Sequence, residues 1–336
     1  MVRKAHPLSV LTVAVLTFRR NELLATLLPQ LLQQTRALTA AGTTATVLVV
    51  DNDPDGGAAD VVTALGDAAV RYVAEPRPGI AVARNRALAE AGSSAALVFV
   101  DDDEIPGEGW LAQLVATWRD TGAAGVTGPV DSVFDGALDP WVAAGGFFAR
   151  AHTRGLETGD RVPAAATNNL LLDLAAVARH AISFDESIGL AGGEDTRFTR
   201  SLVAAGEEIV WCAQARVVDR VPRDRMTRAS VVRRRFAQAN VSVGASVALA
   251  PGPVSGLRTR VRYGAPALGR IAVGALAAAA GTVTRRPGVQ ARGVATGARG
   301  LGAAAAVLGV RYQEYRRPSP GRRRVAIESS TGERGA

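Results

Sequence analysis

The chain has 336 residues, 48% of them hydrophobic and 21% charged, a formal net charge of +8 and one cysteine, Cys212. This is enough apolar material for a real core, in one large domain or two ordinary ones. A lone cysteine excludes an intrachain disulfide and fits a reducing cytosol. No signal peptide is visible in the opening MVRKAHPLSV, which runs straight into a strand pattern.

The charge is uneven. Residues 251–336 hold 15 arginines against Glu314, Glu328 and Glu333, whereas the first 250 residues hold 24 basic and 28 acidic side chains. A mildly acidic body therefore carries a basic tail, and a basic tail calls for an anionic partner. Little aromatic residue is interleaved there to stack bases, so nucleic acid is disfavoured and an anionic membrane surface is expected.

In chain order, apolar β-branched runs occur at Leu11–Phe18, Thr46–Val50, Val70–Val73 and Ala96–Val100. Helical patterns separate them at Asn21–Leu38, Ala58–Leu65 and Ile80–Ala91. That alternation predicts an α/β fold whose mostly parallel sheet is covered by helices on both faces. Further on come a helix at about 108–120, a strand at Gly125–Val130 and a less regular middle over 131–180. A helix at about 195–205, a short strand at Ile209–Ala213 and a basic helix at Ser230–Gln238 follow.

Pro251-Gly-Pro253 marks a boundary, giving a catalytic-looking domain over 1–250, a helical extension over 251–315 and a disordered basic tail over 316–336. The extension contains two Ala/Gly-rich apolar segments, Tyr263–Val283 and Gly293–Val310, interrupted by Arg270 and Arg299. A central arginine costs roughly 3 kcal/mol on insertion scales, and Ala and Gly drive insertion weakly. Helices lying on a membrane surface or packed on the body are thus expected ahead of spanning ones.

Each early strand ends in polar residues, and in open α/β sheets ligands bind beyond the carboxyl ends of the strands. The sharpest such end is VFVDDDEIP, Val98–Pro106, with four acids and no base. Alternate strand residues share a side, so Asp101 and Asp103 can point together. Such a pair suits Mg2+ or Mn2+ bridged to a diphosphate, although an isolated acidic turn can equally be solvated surface.

Asp51-Asn-Asp-Pro-Asp-Gly56 resembles a calcium loop but has Val62 where the bidentate glutamate belongs. It reads instead as a strand-end loop whose Asp51 meets a base or ribose. The first strand is followed by TFRRNE with no glycine, against a dinucleotide-binding dehydrogenase. Arg84 stands near a helix start, where an anion is favoured, or simply faces solvent. Gly192-Gly-Glu-Asp195 places two acids at a helix start, as caps or as a general base on a loop. His152 and His180 are taken as structural.

Taken in order, VAVLTFRRNELL, VLVVDNDPDG, RPGIAVARNRALAEA, VFVDDDEIPGEGWL, TNNLLL and FDESIGLAGGEDTRFTRSLVAAG resemble glycosyltransferase family 2, inverting enzymes of GT-A fold, over roughly residues 8–225. The resemblance implies that Thr17, Arg19 and Asp51 contact base and ribose and that Arg84 approaches the diphosphate. It implies that Asp101 and Asp103 hold the nucleotide and a divalent metal, Mg2+ or Mn2+, with Asp102 beside them. Asp195 would be the base for the acceptor hydroxyl, and Glu194 would touch donor or acceptor. Many relatives carry a metal-binding His after the Glu-Asp element. This chain has Asp219 there, which also suits a hard cation.

The resemblance implies transfer from a nucleotide-sugar donor to a hydroxyl acceptor, lipid-linked or polysaccharide, at the inner face of the membrane. Arg233, Arg234 and Arg235 would meet acceptor phosphate or lipid head groups, or form a solvated basic face. A non-catalytic nucleotide-sugar-binding relative would have lost the acids that are present here. A nucleotidyltransferase would carry a glycine-rich loop after the first strand, and Thr17–Glu22 has none.

Overall fold

A computed structural model describes residues 10–149, 153, 155–188, 193–248, 250, 252–310 and 312. The readings above for the N-terminal stretch, His152, Gly192 and the tail from 316 fall outside those residues.

The first half alternates strand and helix: β1 (Leu11–Thr17), α1 (Asn21–Ala40), β2 (Ala45–Asp51), α2 (Ala59–Leu65), β3 (Val70–Ala74), α3 (Ile80–Glu90) and β4 (Ala96–Asp101). β5 (Glu104–Pro106), α4 (Trp110–Thr121), β6 (Gly125–Thr127) and β7 (Val130–Phe134) follow. Then come α5 (Pro140–Gly145), β8 (Asn169–Asp173), α6 (Leu174–Arg179), α7 (Glu194–Ala204), β9 (Ile209–Trp211) and β10 (Val217–Val221). Three long helices end the described chain, α8 (Arg228–Ala248), α9 (Gly252–Val283) and α10 (Pro287–Val307).

The seven-stranded sheet runs β3-β2-β1-β4-β8-β6-β9, and only β8 is antiparallel to its neighbours. β1 shows how the sequence selects two covered faces. Leu11, Val13 and Val15 join the core under α1 and α4, with Leu28, Leu31, Trp110 and Trp118, while Ala14 joins the other core. That second core holds Ala83, Ala87, Phe99, Phe184, Phe198 and Leu202 under α3 and α7. Its aromatic centre is a stack of Phe184 on Phe198 at 4.1 Å between centroids, with Phe99 edge-on to Phe184 at 5.9 Å.

Two expectations need correction. The strand expected over 125–130 is two strands in different sheets, because Gly128 sits where a Cβ would lie 2.2 Å from the Ala215 carbonyl oxygen. The chain must kink at that contact, and β7 leaves to join β5 and β10 in a small sheet of order β5-β10-β7. The middle region is also more regular than expected. Asn169–Asp173 is a wholly buried central strand whose three leucines between Asn169 and Asp173 are too short a run for a periodicity test.

The helical extension packs on the body. α10 lies between α9 and the pair α8 and α5, and Gly302 approaches the Phe236 carbonyl so closely that a Cβ would come within 2.1 Å.

Candidate active site

The carboxyl ends of β1, β2 and β4 lie side by side because these strands are parallel and in register, Thr17 opposite Asp51 and Leu16 opposite Asp101. β4 stops at Asp101. Asp102 and Asp103 form a turn, and β5 begins at Glu104. Asp101 and Asp103 are therefore related by a turn rather than by strand alternation.

The Thr17 hydroxyl donates to Asp102 at 2.9 Å, so one strand end fixes the other. Arg20 Nη1 donates to Asp102 at 2.8 Å and to Asp103 at 3.0 Å, and Arg225 reaches Asp103 at 3.5 Å. Burial pushes Asp101 up to about 7, against the pull of Arg84, and the charges of Asp103, Asp102 and Asp195 add to the rise. Burial likewise raises Glu104 well above the carboxylate range, with Asp101, Asp103 and Asp219 contributing. Asn168 donates to Glu104 at 2.5 Å, bringing the TNN element to the same place.

Asp219 enters through β10, whose antiparallel pairing with β5 sets it opposite Glu104. Among the described residues no three acidic, histidine or cysteine side chains form a metal site by themselves. A hard cation there would need donor phosphates as further ligands. The oxygen donors of Asp101 and Asp103 suit such an ion, and Asp101 is held up by burial first and by the neighbouring acids second.

Asp195 stands in the first turn of α7, and its charge is felt at Asp101. Its Oδ1 accepts from the Thr196 N–H at 2.5 Å. Glu194 beside it is only 3% exposed and forms an ion pair with Arg84, itself 5% exposed. The second carboxylate oxygen of Glu194 is buried and has no hydrogen-bond partner. Arg84 also lies over the Phe184 ring, 5.6 Å from its centroid.

Asp51 is fully buried. It accepts from the N–H groups of Asp53 and Ala58 at 3.0 and 2.9 Å and from the Tyr72 hydroxyl at 3.1 Å, and so ties down the DNDPDG loop. Arg19, with a left-handed φ of 56°, turns towards that loop and pairs with Asp53 and Asp55, each at 2.9 Å. Arg19, Arg20, Asn21, Asp53 and Gly57 line a cavity of about 530 Å3 there.

The sequence reading missed Arg20, Arg225, Glu104 and Asn168. Arg20 was adjacent to a chosen residue, and only the left-handed turn at Arg19 decides which of the two arginines faces the acids. His180 Nε2 lies 2.9 Å from Glu207.

The family model described as Glycosyl transferase family 2 matches residues 12–170. The succinoglycan biosynthesis protein ExoM of Rhizobium meliloti (strain 1021) is 33% identical over 231 residues, 67% of this chain and 71% of that protein. The fold is similar to that of the mannosyltransferase PcManGT from Pyrobaculum calidifontis, solved with GDP-Man and Mn2+, at a TM-score of 0.55 and 18% identity over 87% of each chain. It is also similar to that of GalNAc-T7, solved with UDP, GalNAc and Mn2+, at a TM-score of 0.53 and 14% identity. That match takes in 76% of this chain and 54% of the other, so this chain spans about half of its length. The architecture is GT-A-like, with a helical region added at the C-terminal end. The chain belongs to glycosyl transferase family 2 and is a glycosyltransferase.

Proposed function

We propose that the chain is a metal-dependent, inverting enzyme that moves a sugar from a nucleoside-diphosphate donor to a hydroxyl of a cell-envelope acceptor, lipid-linked or polysaccharide. The observation that carries this reading is the gathering of Asp102 and Asp103, directly after Asp101, by Thr17 and Arg20 at the strand ends, with buried Arg84 pairing with Glu194 next to Asp195 in the first turn of α7.

Thr17, Arg19 and the loop tied by Asp51 receive base and ribose. Arg84, beside the acids, faces the diphosphate end, and its partner Glu194 faces donor or acceptor. Asp195 takes the proton from the attacking hydroxyl. The hydroxyl oxygen bonds to the anomeric carbon as the bond to the diphosphate oxygen breaks, and the nucleoside diphosphate leaves with the electron pair. One such displacement inverts the anomeric centre. Asp101, Asp103 and Asp219 would hold Mg2+ or Mn2+ only together with the donor's phosphates, and the ion when bound supplies positive charge against the leaving group.

The relative's role in succinoglycan biosynthesis supports a polysaccharide or polysaccharide-precursor acceptor. The single cysteine and the basic C-terminal region support the cytosolic face of the cell membrane.

The test is nucleoside-diphosphate release from a panel of nucleotide sugars with Mg2+ or Mn2+, with and without membrane lipid extract. Metal-dependent release with one donor, lost in Asp195→Asn, is the expected result. Tight donor binding with no turnover under any acceptor condition would overturn the reading in favour of a binding subunit.

A further inference from the structure

Between Asp224 and Glu314 the sequence contains fourteen arginines and no acidic residue. All three long helices lie in this interval. Arg225 and Arg228 pair with Asp103 and Asp139 of the body, but no acid lies within the interval itself, and Arg235 shows the effect. Burial and the nearby charges of Arg299 and Arg234 all push its guanidinium below the ordinary arginine value. Like charges held this close favour an anionic surface outside the protein.

The same layer carries the largest exposed apolar face of the described chain. Val254, Leu257, Val261, Leu268, Leu276 and Val283, all on α9, are each more than 60% exposed. At 3.6 residues per turn these six fall within an arc of about 100°, one continuous stripe along the helix, and Val273, 61% exposed, stands about 60° beyond its edge. Exposed Arg258 and Arg262 border it, and exposed Arg285 and Arg286 form the turn into α10.

The opposite side of α9 is occupied by α10. A Cβ on Gly274 would lie 2.4 Å from the Gly297 nitrogen, and one on Gly293 2.4 Å from the Ala278 nitrogen, so the two backbones touch. α10 is in turn fixed to the body. Asn240 of α8 donates to the Gly302 and Val310 carbonyls at 3.1 and 2.9 Å, and Arg292 donates to the Ala144 carbonyl at 3.3 Å. A helix clamped this way has its outer face free and its inner face committed.

We infer that α9 lies flat on an anionic lipid bilayer, with the Val254–Val283 stripe at the boundary of head groups and acyl chains and the flanking arginines on lipid phosphates. α9 is long and apolar enough to cross a membrane by composition. Crossing would pull it from α10 or drag the catalytic body into lipid, and it would place Arg270 in the hydrocarbon. An interfacial helix needs neither, and such helices have one apolar face edged by arginine.

The test uses the full chain and sedimentation with vesicles of phosphatidylcholine alone or mixed with phosphatidylglycerol. Wild type should sediment only with the anionic vesicles and be released by high salt. Leu257→Asp and Leu268→Asp should each bind roughly ten- to a hundredfold more weakly, with unchanged circular dichroism. Leu268→Trp should show blue-shifted emission quenched by brominated lipid. Equal binding to neutral vesicles, wild-type affinity in both Asp variants, resistance to salt and alkaline extraction, or a dimer through α9 in light scattering would each overturn the inference. Acceptor-independent donor hydrolysis, measured without vesicles, judges the transferase reading separately.

Discussion

Arg84 and Glu194, 110 residues apart in sequence, pair side chain to side chain, and both are almost wholly buried. The pair joins α3 to the first turn of α7 and thereby fixes the helix that carries Asp195. Removing one partner of a buried pair strands the other charge, at a cost of about 3–5 kcal/mol. Arg84→Met should therefore lower stability by that order in urea unfolding. Arg84→Met/Glu194→Met should recover much of the loss without recovering donor turnover. Equal destabilisation by the single and double variants would mean that packing over Phe184, and not charge pairing, is what Arg84 supplies.

Asp195→Asn keeps the shape of the site and removes the proton acceptor. Turnover should fall by roughly a hundred- to ten-thousandfold with the donor KM little changed, the range expected for loss of a general base. The measurement is steady-state kinetics with the identified donor. A large KM change at constant kcat would reassign Asp195 to donor binding.

Burial, with the neighbouring acids adding to it, pushes Asp101 up to about 7 from an ordinary value of 3.8. The native chain thus binds a proton over that window that the unfolded chain has released. Stability from this source is present in full below about 3.8 and is lost as pH rises to about 7. Glu104 and Asp102 are shifted in the same direction. Asp139, Asp185, Glu75 and Glu207 are shifted downward, so their stabilisation is lost at the acid end instead. Between about pH 5 and 7 the unfolding midpoint should decline, and Asp101→Asn should flatten the decline. Mn2+ should reverse it near neutrality by binding the ionised form.

Asp219 lies opposite Glu104 across the β5–β10 pairing. Asp219→Ala should raise the Mn2+ concentration needed for half-activation by about tenfold or more, as loss of a supporting group around a metal does. Asp219→His should retain activation by Mn2+ better than by Mg2+, since imidazole suits the softer ion. Unchanged metal dependence in both variants would remove Asp219 from the site.

Gly302→Ala drives a methyl into the Phe236 carbonyl, where the open distance is 2.1 Å. Overpacking of this kind costs about 1–3 kcal/mol. The thermal midpoint should fall while donor hydrolysis by the folded protein is unaltered, because the collision lies between α8 and α10. A loss of donor hydrolysis at full folding would couple the helical layer to the chemistry.

The parallel half of the fold was legible because β1, β2 and β4 are long β-branched runs ending in acids or polar turns, a pattern local to each segment. β8 was not, since Asn169–Asp173 is a short apolar strand whose identity comes from insertion between β4 and β6. The acids of the site were legible one by one. Their electrostatics were not. Asp101 rises because it is buried, with the acids of the following turn and α7 adding to the rise, and no spacing in the sequence records that burial or that approach. Which of Arg19 and Arg20 reaches the acids after β4 depends on a single left-handed residue, which composition cannot reveal.

The insertion of β8 also sets an order of events during synthesis. β1 to β4 can pair as soon as residue 101 has left the ribosome, each close in sequence to a neighbour. β6 has no place until β8 arrives, and Asp195, Asp219 and Arg225 come later still. A nascent chain can thus pair Arg20 with Asp102 and Asp103 before Arg225 and the first turn of α7 have been made. The proposed base Asp195 and the proposed metal acid Asp219 both lie beyond residue 170, where the family match ends. A fragment cut there would divide β8 itself and leave β4 as an open edge, prone to pair with another unfinished chain.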